Sequence, residues 1–252
     1  MLIDIHTHVQ QFNIEDLELL INNSRKSNVN IIVAAGTTIS DSQKAVVLSK
    51  KYKEIYAAVG IHPQNINDEK TVNYLDKLEE FTNNSKTIMI SEIGLDIQEK
   101  SVDLSIQTEF FSEQINFARS KKLPIAFHVR NAEKEALSLL HTNRINEIKS
   151  VAHYFSGSYE YAKKLLDQNV FISVAKPFLR DEKLSDTIKQ IPIEQIVIET
   201  DSYPQYFKKN RERWTEPRDL MQIIKKLSQI KKMDQMYLME IISTNSNYIL
   251  NL

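Results

Sequence analysis

Eight short apolar runs separated by amphipathic helical stretches predict an α/β fold, a closed (β/α)8 TIM barrel filling residues 1–252 as a single domain. Three observations carry this expectation. The runs are rich in Ile, Val and Ala, as parallel strands covered on both faces should be. Strand-like and helix-like segments alternate from end to end with no block of consecutive strands, which favours parallel pairing. The length of 252 residues suits one barrel of ordinary size.

In chain order the expected strands are residues 2–5, 30–35, 55–61, 87–91, 124–128, 149–153, 170–174 and 195–199. Helical periodicity marks 14–27, where Ile14, Leu17, Leu20 and Ile21 share a face, and 104–121, which carries Phe110, Phe111, Ile115 and Phe117. Residues 133–141, 159–168 and 184–190 also read as helices, and 216–252 as two helices that close the barrel. The Asn- and Lys-rich stretches 22–30 and 83–86 fit solvated helix ends and turns, and no repeat or low-complexity linker interrupts the chain.

Composition narrows the chemistry. Hydrophobic residues make up 42% and charged residues 26%, ordinary for a soluble globular chain. A net charge of −1 argues against broad coating of nucleic acid, but leaves room for an enzyme that grips a few phosphates. With no cysteine, disulfides, thiolate zinc sites and a cysteine nucleophile are excluded, so any metal site must use His, Asp and Glu. The sequence shows no leader peptide and no membrane span, so a cytoplasmic location is expected, with a monomer as the default.

The chemistry-bearing residues gather where the strands end. His6 and His8 follow the first strand, two apart and so on the same side of an extended segment. Glu92 is placed at the end of the fourth strand, His128 the fifth and His153 the sixth, with Asp201 after the eighth. A barrel brings these ends into one ring, where its active site sits. Taken singly, each has an ordinary alternative: a hydrogen-bonded strand-end histidine, or a carboxylate in a salt bridge or helix cap. Together they place four of the six histidines and two carboxylates at equivalent positions, while His141 reads as a plain helix-end residue. Six such ligands exceed one tetrahedral site and fit two divalent ions, Mg, Mn or Zn, sharing a carboxylate.

Seven segments then make the chain resemble the TatD family along nearly its whole length. They are Asp4-Ile5-His6-Thr7-His8, Gly60-Ile61-His62-Pro63, Ser91-Glu92-Ile93-Gly94-Leu95-Asp96, His128-Val129-Arg130-Asn131-Ala132, His153-Tyr154-Phe155-Ser156-Gly157, Ile191-Pro192-Ile193 and Glu199-Thr200-Asp201. The resemblance implies a metal-dependent deoxyribonuclease with 3′-to-5′ exonuclease action on single-stranded DNA. It implies that His6, His8 and Asp201 hold one metal, that His128 and His153 hold the second, and that Glu92 bridges them. It also implies that His62 and Arg130 contact substrate phosphate. In such a site two metals clamp the phosphate and activate a water for in-line attack, and Asp201 accepts its proton.

The sequence departs from that family at the rim, in Ser173-Val174-Ala175-Lys176-Pro177-Phe178, Ser202-Tyr203-Pro204-Gln205-Tyr206 and Trp214-Thr215-Glu216-Pro217. The segment 203–214 interleaves aromatic and basic residues, including Arg213 and the single tryptophan, Trp214, which suits a single strand with stacked bases. The ordinary alternative is a solvated loop whose aromatics pack on the rim. Competing readings are a D-aminoacyl-tRNA deacylase or other ester or amide hydrolase on the same barrel, a non-catalytic scaffold, and a nuclease component of an antiphage defence system. Relatives acting on cyclic amides usually bridge their metals with a carbamylated lysine, and Glu92 in that place favours the nuclease.

Overall fold

The computed structural model describes residues 1–69, 73–210 and 214–252. Eight parallel strands follow one another around a single sheet in the order of the sequence. They are β1 (Leu2–Thr7), β2 (Val29–Ala35), β3 (Ile55–Val59), β4 (Thr87–Asp96), β5 (Ile125–Arg130), β6 (Ser150–Ala152), β7 (Val170–Val174) and β8 (Ile196–Ile198). The helices are α1 (Ile14–Lys26), α2 (Ile39–Lys51), α3 (Ile66–Glu69), α4 (Tyr74–Thr82), α5 (Leu104–Lys121), α6 (Glu133–Thr142), α7 (Tyr159–Leu166), α8 (Glu182–Gln190), α9 (Leu220–Lys231) and α10 (Gln235–Leu250). This is the expected TIM barrel. No helix among the described residues is long and apolar enough to cross a membrane.

Alternation along the strands sorts side chains into two apolar layers. Ile3, Ile5, Val33, Met89, Ala126, Val151 and Val197 form one cluster, joined by Ile249 and Leu250 from the end of α10. A larger cluster fills the space between strands and helices, with Leu17 and Leu20 of α1, Phe111 of α5 and Ile224 of α9 packed on strand residues such as Ile32, Ile90 and Phe127. The connecting helices start at short polar caps: the side chains of Asn13, Thr38, Ser158, Asp181 and Asp234 each accept a backbone N–H of the first turn.

Two differences from the sequence expectation matter. Strands β1, β4 and β5 run further toward the barrel mouth than their apolar runs suggested, so His6 lies within its strand rather than after it, and Glu92 and His128 lie inside theirs rather than at the ends. Pairing continues through polar residues there, with Gly94 opposite His128 and Asp96 opposite Arg130. Helices α2 and α4 fall in stretches the periodicity did not single out. The buried face of α2 is Asp41, Ser42, Ala45, Val46 and Ser49, too small and polar to give an apolar stripe.

Between β8 and β1 the barrel is drawn together by side-chain and loop contacts. Thr200 donates its backbone N–H to Asp4 Oδ1 at 2.9 Å, and its hydroxyl bonds Asp4 Oδ2. The backbone of Asp201 donates to His6 O at 3.0 Å, and that of His8 to Ser202 O at 2.7 Å. Burial, relieved only in part by the Thr200 hydrogen bonds, raises the Asp4 carboxyl well above its usual range.

Candidate metal and catalytic site

Two local irregularities aim the central side chains. In β1, Asp4 pairs with Ile32 and Thr7 with Ala34, so β1 advances three residues while β2 advances two. The bulge lets consecutive residues face the interior: Ile5 joins the apolar cluster and His6 reaches the site. The same happens in β4 between Ile90, opposite Ile125, and Ile93, opposite Phe127. Ser91 Oγ lies 3.3 Å from His6 Nδ1, and the next residue, Glu92, places Oε2 3.6 Å from His6 Nε2. Gly94 makes the continued β4–β5 pairing possible. It sits at φ +139°, and a Cβ there would meet the His128 carbonyl oxygen at 2.0 Å.

Glu92 is the hub. Its Oε2 faces His6 Nε2 at 3.6 Å and His8 Nε2 at 3.5 Å. Its Oε1 faces His128 Nδ1 at 3.4 Å, His153 Nε2 at 3.5 Å and His62 Nε2 at 3.5 Å. Asp201 follows β8 in a left-handed conformation, φ 51°, which turns its Oδ1 to within 3.2 Å of His8 Nε2. Donor atoms within 4.8 Å of one another form four sets: His6 with His8 and Glu92, His6 with His153 and Asp201, Glu92 with His128 and His153, and His62 with Asp96 and His128. His6 Nε2 and Asp201 Oδ1 are buried with no hydrogen-bond partner among the described residues. A divalent cation fits that environment: nitrogen and carboxylate donors, close together and otherwise unsatisfied.

The outer nitrogens fix the tautomers. His8 Nδ1 lies 2.9 Å from the carbonyl of Ala35, His128 Nε2 3.2 Å from Asp96 Oδ2 and His153 Nδ1 2.9 Å from Glu199 Oε1. The acceptors beside His8 and His128 hold a ring proton on the outer nitrogen, and in all four rings the inner nitrogen is the one turned toward Glu92 or Asp201, where loss of any second proton would free its lone pair for a metal. His62 is arranged the other way. Its Nδ1 accepts the backbone N–H of Gln64 at 3.1 Å, so its proton sits on Nε2 and points into the site. Four imidazoles are thus prepared as ligands and one as a donor.

Electrostatics follow from the crowding. Burial opposes ionisation of Glu92, but the surrounding imidazoles hold it well below the usual carboxylate range. Burial likewise opposes charge on His153 and His8, yet Glu199 and Glu92 push the first up to about 10, and Asp201 with Glu92 the second to about 9. His62 is pushed down to about 4, chiefly by burial and with His128 adding to it, and is neutral at physiological pH. Burial also lowers His6, and His153 adds to that.

The structure therefore gathers His6, His8, Glu92, His128, His153, Asp201 and His62 at one end of the barrel. Arg130 lies at the edge, 53% exposed, with Nη1 3.6 Å from Asp96 Oδ2. Trp214 is a correction. The residue is 6% exposed, packed in the apolar core against Phe12 and Tyr206, and only the margin of its ring reaches a wider cavity beside the site, which is too little for a base to stack on. Arg213 lies outside the described residues. Sequence reasoning assigned no role to Asp96, Glu199 or Ser91. Asp96 and Glu199 were legible as carboxylates in the same strand-end segments as Glu92 and Asp201, but their partners are ring nitrogens of distant residues.

The chain matches the family model described as "TatD related DNase" over residues 3–251. It is 32% identical over 264 aligned positions to an uncharacterised metal-dependent hydrolase of Buchnera aphidicola, covering 100% of this chain and 99% of the relative. A fission-yeast protein named deoxyribonuclease Tat-D is 26% identical over 200 positions, 75% of this chain and 64% of that one. Among solved structures, a TatD homologue of Escherichia coli superposes with a TM-score of 0.90 at 22% identity, covering 100% of this chain and 98% of the other, a likeness of fold. With four histidines and two carboxylates at the mouth of a barrel matched over 3–251, the chain belongs to the TatD family of metal-dependent hydrolases.

Proposed function

We propose that this hydrolase is a two-metal nuclease that removes nucleotides from the 3′ end of single-stranded DNA. The observation that carries the reading is the division of Glu92, with one oxygen toward His6 and His8 and the other toward His128 and His153. His6, His8 and Asp201 would hold one divalent ion with Glu92, and His128 and His153 the other, the ions being Mg, Mn or Zn. When bound, such ions neutralise phosphate charge and lower the pKa of a water at the site.

The chain's own groups supply the rest. Asp201, held by His8, is placed to accept the proton of the attacking water. His62, neutral and with its proton on Nε2, donates a hydrogen bond to a non-bridging phosphate oxygen beside Glu92. Arg130 at the rim offers a planar fork to the same phosphate group. The naming of the fission-yeast relative supports a nucleic-acid substrate.

The test is release of mononucleotides from end-labelled single-stranded DNA with Mg or Mn, comparing wild type with Glu92→Ala and Asp201→Ala. Metal-dependent release lost in both variants supports the reading. No release from DNA or RNA by metal-loaded wild type sinks it, and leaves a metal-dependent ester hydrolase such as a D-aminoacyl-tRNA deacylase.

A further inference from the structure

Beside the centre the barrel mouth opens into a cleft of about 250 Å³ whose wall runs from Thr200 and Asp201 to Lys176, Arg180 and Lys208. A second, wider cavity shares the same three cations and continues to Lys209 and Asn210. The three come from separate parts of the chain: Lys176 and Arg180 from the turn after β7, Lys208 from the segment after β8.

Two of the cations are held in place. Lys176 Nζ lies 2.9 Å from Asp219 Oδ2 and donates to Thr215 Oγ1 at 3.3 Å. Lys208 Nζ donates to Gln205 Oε1 at 2.6 Å, and Gln205 is itself buried and accepts the backbone N–H of Thr215. Arg180 is exposed and has no ion pair among the described residues. Partial burial and the nearby Lys176 and Arg180 hold the Lys208 ammonium below its usual range, with Asp219 opposing them. Asp219 is placed against Lys176 and also acts on Lys208, while Arg180 carries its charge at the exposed edge of the cleft. Gathered like charges of this kind are relieved by an anion. Tyr154 and Tyr203, both partly exposed, line the same cleft and offer rings against which a base can stack.

We propose that Lys176, Arg180 and Lys208 form a second phosphate subsite, which takes the phosphate one nucleotide away from the bond being cut and so selects strands that carry a phosphate there. The proposal rests on the nuclease reading above. Asp201 is common to the centre and to this cleft, so a strand whose scissile phosphate lies at Glu92 and Asp201 leads directly into the cationic wall.

The test uses thymidine dinucleotides with and without an added terminal phosphate at either end. Affinity is measured by competition against a fluorescent oligothymidylate on metal-free protein, and kcat/KM on metal-loaded protein. The expected result is that a phosphate at one end strengthens binding about tenfold, as a charge-assisted contact should. Arg180→Ala and Lys208→Ala should abolish that preference and reduce the salt slope of oligonucleotide binding by about 0.7 for each cation removed. Arg180→Lys should retain part of it. Equal binding of all dinucleotides by wild type overturns the subsite, as does a preference unchanged in both alanine variants. Inorganic phosphate competing as well as the phosphorylated dinucleotide also overturns it, marking a free-anion site. DNA cleavage without the preference sinks the subsite alone; the preference without cleavage sinks the nuclease reading alone.

Discussion

Replacing Glu199 by glutamine tests how the centre holds its metal without touching a proposed ligand. Glu199 is fully buried, and its carboxylate accepts the backbone N–H of Tyr154 at 2.6 Å and the hydroxyl of Ser173 at 2.6 Å, with His153 Nδ1 at 2.9 Å. Glutamine has the same shape. Its oxygen can still accept from Tyr154, and its amide can donate to Ser173, so the barrel should fold. What is lost is the negative charge behind His153. Outer carboxylates that orient a ligand histidine typically change metal affinity about 10–100-fold when altered. Loss of a charge 2.9 Å from His153 Nδ1 with the shape kept should fall at the lower end of that range, about tenfold. The same change weakens the hold of a proton on His153, which Glu199 helps to raise, so the loss should widen as pH rises. Chelator competition against Zn or Mn gives the affinity, and circular dichroism checks the fold. Unchanged metal affinity at high pH in a folded variant would refute the assignment of His153 as a ligand oriented by Glu199.

Other outcomes follow from the same geometry. His153 at about 10 and His8 at about 9 are protonated in the metal-free protein at neutral pH, so metal must displace those protons. Apparent affinity should therefore fall as pH falls below about 9, and calorimetry in buffers of different ionisation heat should report proton release; none would contradict it. Gly94→Ala forces a Cβ onto the His128 carbonyl and a strained backbone, about 1–3 kcal/mol for the strain alone, so denaturant midpoints should drop and metal binding weaken with them. Trp214→Ala should cost about 3–5 kcal/mol as a core truncation. A stable Trp214→Ala protein with selectively weakened strand binding would restore the stacking role that its burial argues against.

The barrel and the gathering of His6, His8, Glu92, His128, His153 and Asp201 were legible because period and strand-end position are written along the chain. What could not be read there was local or long-range. The bulges in β1 and β4 insert one residue and turn His6 and Glu92 inward, while their sequences look like uninterrupted strand. The buried face of α2 uses Ser42, Ala45 and Ser49, which carry no periodic signal. Trp214 misled because an aromatic among basic residues reads the same whether its ring faces solvent or, as here, Phe12 and Tyr206. The proton placement on His62 depends on one backbone N–H two residues on, which is settled only by the turn after β3.

The seam between the first and last strands has a temporal meaning. His6 and His8 are made first, while Asp201, fastened to the carbonyl of His6, comes some two hundred residues later. No partial chain that stops short of β8 can assemble the proposed centre. During synthesis, which proceeds at about 5–20 residues per second, the ligands already made wait tens of seconds for the one that completes the set. The chain thus carries its own safeguard: the proposed centre is withheld from every copy that ends before Asp201 and is completed by the contact that draws the last strand to the first.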